Sequence, residues 1–107
     1  MIPIKHYIDE RIDALNALDA QMLRWMDSVE NASPEALPHF KKVHSDFQLA
    51  RDAADKSLLD LFSIRSAEFA TAALTANVEA AWGHLQGTWR VAQTTFSDFE
   101  SRSDVLV

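Results

Sequence analysis

The chain has no cysteine, two glycines and three prolines, and it has little basic charge. Without cysteine there can be no disulfide, no thiolate nucleophile and no Cys-ligated metal. Glycine and proline punctuate turns, so their scarcity argues against a sheet with many hairpins and for a few long elements. No window approaches the about eighteen apolar residues of a membrane span. The start, MIPIKHYIDER, lacks the apolar core of a signal peptide, and the sequence predicts a cytoplasmic protein. Sixteen acids outnumber ten bases, for a net charge of −6. A nucleic-acid binder normally shows a basic face. Here Lys41-Lys42, Arg51 and Lys56 are interleaved with Asp46, Asp52 and Asp55, which reads as a solvated helix face. Direct nucleic-acid binding is not expected.

Catalytic and metal signatures are absent from the sequence as well. A metal site on a helix needs ligands three or four residues apart on one face. His39 and His44 are five apart, and no Glu is followed three residues later by His. There is no HExxH, no glycine-rich phosphate loop and no nucleophile elbow. Asp9, Glu10 and Asp13 cluster, but on a face expected to be wet, where nothing perturbs a carboxylate for acid–base work. The expectation is a non-enzymatic protein without cofactor or metal.

What is present is helical periodicity over 107 residues, a length that suits one domain. Ile4, Ile8, Ile12, Leu15, Leu18, Met22, Trp25 and Val29 recur at steps of three and four and predict a first helix over 4–31. NASPEALP at 31–38 breaks it. Ser33-Pro34-Glu35 reads as an N-cap with proline at the first helical position, and Pro38 argues for a short turn and then a fresh helix. Phe40, Val43, Phe47, Ala50, Ala54, Leu58 and Leu61 predict that second helix over 38–62, with alanines in mid-seam where two helices can approach closely. Residues 66–97 hold only three charged side chains, Glu68, Glu79 and Arg90. Within them Val78, Trp82, Leu85, Trp89, Ala92, Phe96 and then Phe99 form a bulky row at coiled-coil spacing. Ala73, Ala76, Ala80, Gly83 and Gly87 form a smooth row on another side of the helix. A third helix over 64–100 follows, with Ser63 and Ser66 as candidate N-caps and 101–107 as a frayed tail. Running 38–100 as one helix would make it roughly 95 Å long, so a break near 62–66 is expected. The alternative is a long helical hairpin that dimerises.

Each glycine in a helix interior costs up to about 1 kcal/mol relative to alanine. The GxxxG spacing of Gly83 and Gly87 therefore points to a tight helix crossing, within the chain or between chains. Trp82, Trp89 and Phe96 recur every seven residues and read as core seam, with Trp25 of the first helix meeting them.

The segment SPEALPHFKKVHSDFQLARDAADKSLLDL at 33–61, with the Ala/Thr-rich helix after it, resembles the phasins, bacterial proteins that coat polyhydroxyalkanoate granules. That resemblance implies amphipathic helices that open onto a hydrophobic granule surface.

Together these features predict an all-α, three-helix antiparallel bundle that serves as a protein-interaction or adaptor module. The uncharged third helix has more surface to cover than two neighbours provide, so the expected partner is a second copy of the chain, forming a homodimer. The interface candidates are Ala73, Ala76, Ala80, Gly83 and Gly87, with Trp82, Trp89 and Phe96 on the bulky side. The alternative functions are a phasin-like coat protein and a small acidic inhibitor or immunity protein using Asp9, Asp13, Asp27 and Glu30.

Overall fold

A computed structural model of the chain describes residues 2–64 and 68–105, with side chains described through residue 100. Three helices, α1 (Ile4–Ala32), α2 (Leu37–Phe62) and α3 (Ala72–Val105), pack as an all-α bundle, and one 3-10 turn, Pro34–Ala36, joins the first two. Tyr7 meets Glu79 and Trp25 meets Phe96, so α1 and α3 run in the same direction. Phe40 meets Phe96 and Phe47 meets Trp89, so α2 runs against them. The bundle is elongated, 56 × 20 × 17 Å.

The α1–α2 junction follows from its two prolines. Ser33 precedes Pro34, and its backbone is driven out of the helical region, to φ −152° and ψ 78°. Its N–H still donates to the Val29 carbonyl at 2.8 Å and closes α1. Pro34 occupies the first position of the 3-10 turn, as expected, but Ser33 supplies no side-chain cap. The turn then passes directly into α2, because Ala36 and Leu37 are both already right-handed helical. Pro38 sits in the first turn of α2, where its missing N–H has no intrahelical partner to lose.

The α2–α3 junction departs from the sequence expectation. The sequence predicts a third helix from 64, whereas α3 begins at Ala72. Ser63 ends α2 rather than starting α3. Its N–H donates to the Leu59 carbonyl, and its hydroxyl donates to the Asp60 carbonyl at 2.7 Å. Ser66 lies outside the described residues. The chain then passes the start of α1, where Pro3 and Phe69 form an antiparallel bridge. The Ile4 N–H donates to the Glu68 carbonyl at 3.0 Å, and the Ala70 N–H donates to the Ile2 carbonyl at 2.8 Å. This pairing draws residues 68–70 out of helix. It also satisfies an N–H at the start of α1, which has no side-chain cap. Thr71 is the true cap of α3, its hydroxyl accepting from the Leu74 N–H at 3.3 Å. At the other end α3 continues to Val105, into the segment expected to fray from 101.

The core is one continuous cluster drawn from all three helices. Phe47, Phe96, Leu15, Met22, Leu58 and Leu85 are its largest fully buried side chains. Each contributes on the order of 1.5–3 kcal/mol of burial. Size is graded along the bundle. At one end Trp25, Phe40, Phe47, Trp89, Phe96 and Phe99 stack and tilt against one another, with ring centroids 4.9–5.5 Å apart. In the middle α2 contributes Ala50 and Ala54, and within the aromatic end α3 contributes Ala92 between Trp89 and Phe96, all fully buried. Such small residues permit close helix approach, and α2 packs more extensively on α3 than on α1.

Ala54→Leu is expected to destabilise the bundle by about 1–3 kcal/mol through overpacking. Ala53→Leu, one position away on the exposed side, changes stability little. Urea unfolding followed by circular dichroism measures both.

Candidate interaction surface

The two rows of α3 have opposite fates. The bulky row is the core seam. Val78, Leu85, Ala92 and Phe96 are fully buried, and Trp82, Trp89 and Phe99 pack half-buried against them. Phe96 is therefore closed to any partner, and the two tryptophans are half-buried. Trp25 meets this row, 5.0 Å from Trp89 and 4.9 Å from Phe96. The smooth row of Ala73, Ala76, Ala80, Gly83 and Gly87 is exposed along its whole length. A Cβ built on Gly83 or Gly87 would meet nothing within 4 Å. Among the described residues, no helix makes the close crossing that the GxxxG spacing predicts. Nor do the glycines mark a stop or an unusual backbone, since α3 runs through both and neither has positive φ.

Glu79 is the only charged side chain between Ala73 and Gly87, and it is held toward α1. Its Oε1 accepts from the Tyr7 hydroxyl and, at 2.6 Å, from the Arg11 guanidinium. Arg11 in turn lies over two aromatic rings, with its Cζ 5.0 Å from the Tyr7 centroid and 4.7 Å from the Trp82 centroid. The guanidinium thus combines an ion pair with two cation–π contacts, a use suited to arginine's planar, weakly hydrated group. The clamp fixes α3 in rotation about its own axis, with the bulky row inward and the smooth row outward. Glu79 stays half-exposed, at 51% of its side chain, but it is tied to α1. Burial pushes the Tyr7 hydroxyl up to about 12, helped by its hydrogen bond to Glu79 and by that carboxylate's charge, while Arg11 opposes the shift. Next to the clamp, an open groove of about 390 Å³ runs between α1 and α3, lined by Arg11, Ala14, Glu79, Trp82, Gly83 and Gln86.

The Tyr7–Arg11–Glu79 clamp is absent from the sequence reading. Its signal is the isolation of Glu79 in an otherwise uncharged stretch, which calls for a partner. Spacing gives no means of finding that partner sixty-eight residues away. The exposed acids Asp9, Asp13, Asp27 and Glu30 lie on α1, with Asp27 and Glu30 well separated from the first two along the helix. Of the histidines, His39 is exposed, His44 is half-buried and His6 pairs with Glu10 at 3.1 Å. Among the described residues, no three His, Asp or Glu side chains converge in a metal-binding arrangement. No helix among them is long and apolar enough to cross a membrane. Compared with protein-family models, curated proteins and solved structures, the chain matches none, so the likeness to phasins rests on residues 33–61 and the Ala/Thr-rich helix after them.

Two outcomes follow. The raised Tyr7 group favours the folded state while it is protonated. Its contribution is present below pH about 10, the unfolded value, and is lost as pH rises toward about 12. The stability advantage of wild type over Tyr7→Phe is therefore expected to shrink steadily between these limits in urea titrations. Gly83→Ala and Gly87→Ala, with open space at both positions, are each expected to stabilise the dilute, monomeric chain by up to about 1 kcal/mol. Urea midpoints measured at low protein concentration check this.

Proposed function

We propose that the protein is a non-enzymatic helical interaction module that self-associates through the outer face of α3. The observation that supports this reading is the open smooth row, an uncharged helix face turned away from the core and left uncovered. A solvated helix face ordinarily carries charge. Here the row Ala73, Ala76, Ala80, Gly83 and Gly87 offers water only small side chains and two glycines, flanked by exposed Asn77, His84 and Gln86, with Val91 further along at 57% exposure. The helix interior loses stability at both glycines, and nothing among the described residues uses the space they leave. A second copy of α3 laid across this row would use it, since small residues permit close backbone approach and the burial of backbone surface. A two-fold contact of α3 on α3 makes the row self-complementary and gives a closed homodimer.

Molar mass by light scattering coupled to size exclusion checks this reading. Wild type is expected to be a dimer, and Gly83→Leu/Gly87→Leu a monomer with unchanged helix content by circular dichroism. A wild-type monomer at concentrations of about 100 µM, well above a micromolar dissociation constant, sinks the homodimer. If that monomer then coats hydrophobic particles, the phasin-like reading takes its place.

A further inference from the structure

The outer groove between α1 and α2 lies on a different side of the bundle from the smooth row of α3. Near the start of α1 it opens into an apolar cleft of about 240 Å³, with Ile8 and Leu58 at its floor and Ile12, Leu59 and Phe62 along its walls. Leu59 and Phe62 are 62% and 70% exposed. Further along the same groove a second cleft of about 330 Å³ opens beside Leu23, which is 64% exposed, with Met22 and Phe47 beneath it. The Arg51–Asp19 bridge, 3.1 Å long, joins α2 to α1 at the second cleft. From Ile8 to Leu23, α1 rises about 22 Å, the length of a four-turn helix.

Charge decides what fits there. Asp9, Asp55 and Lys5 line the first cleft, and Asp19, Asp52 and Arg51 line the second. Arg51 alone is shared by three carboxylates, at 3.1 Å to Asp19, 3.7 Å to Asp52 and 3.9 Å to Asp55. Asp9 pairs with no base among the described ion pairs. Four acids against two bases leave an apolar groove with an acidic rim. A second copy of this chain docked about a two-fold axis would set that rim against itself. We propose that the α1–α2 groove binds an amphipathic helix of another protein, about four turns long, with large aliphatic anchors on one face and Lys or Arg along its flanks. One anchor pair enters between Ile12, Leu59 and Phe62, and the other rests beside Leu23. The flanking cations meet Asp9 on one wall and Asp52 and Asp55 on the other. This surface is independent of the α3 contact and gives the module a second, heterologous partner.

The test is fluorescence anisotropy with two labelled synthetic helical peptides of identical leucine face, one flanked by lysine and one by glutamate. The intact protein is expected to bind the lysine peptide at least about tenfold more tightly than the glutamate peptide. Leu59→Ser/Phe62→Ser, at exposed positions, weakens lysine-peptide binding by about tenfold or more with an unchanged urea midpoint. Asp9→Asn/Asp55→Asn weakens it about threefold at low salt, and that difference disappears near about 1 M salt. Gly83→Leu/Gly87→Leu binds the lysine peptide as wild type does. Failure of both peptides to bind, equal affinity for the two, or full binding by Leu59→Ser/Phe62→Ser overturns the proposal. A fall in wild-type molar mass caused by Leu59→Ser/Phe62→Ser also overturns it, because the groove is then covered by a second copy.

Discussion

The bulky row of α3 can be removed from water only if α1 and α2 both turn their apolar seams toward it, and the bundle is organised around that requirement. Val78, Leu85, Ala92 and Phe96 lie at full burial between Leu15 and Met22 of α1 and Phe47 and Leu58 of α2. Helix propensity alone gives long but marginal helices, and the packing of this seam makes them one cooperative unit. The row also sets the spacing of the helices. Aromatic rings hold them apart at one end, while alanines let α2 approach α3 in the middle.

Rotation of α3 about its own axis is fixed by polar contacts as well as by burial. Arg11, held over Tyr7 and Trp82, ties Glu79 to α1. Pairing of residues 68–70 with the segment before α1 fixes where α3 starts. Both devices connect α1 to the α3 side of the bundle, where bulky side chains keep the two backbones apart. Both also have a consequence for the outer surface. Glu79 is tied to α1 while still half-exposed, and the row from Ala73 to Gly87 holds only small side chains.

Two uncovered faces of different character result. The α3 face is built of small side chains, on which the proposed contact with a second copy rests. The α1–α2 groove is apolar with an acidic rim, suited to a helix of opposite charge. Neither depends on a titrating catalytic group or a metal cluster, and the perturbed Tyr7 hydroxyl belongs to the clamp, where it fastens helices together.

Much of this was legible in the residues. The steps of three and four along 4–31, 38–62 and 78–99 dictate helices with those inward faces, because periodicity is a local property that burial then rewards. The break at Ser33-Pro34 was equally legible, since proline restricts its own backbone and that of the residue before it. The start of α3 was not. No glycine or proline stands between Phe62 and Ala72, and residues 68–70 are held out of helix by pairing with residues 2–4, a partner far away in sequence. The clamp was hidden for the same reason, since spacing along one helix does not reveal which side chain on another lies opposite Glu79. The smooth row of α3 could be read from the sequence, but its exposure could not. Which side of a doubly uncharged helix turns inward is decided only when three helices compete for the same core.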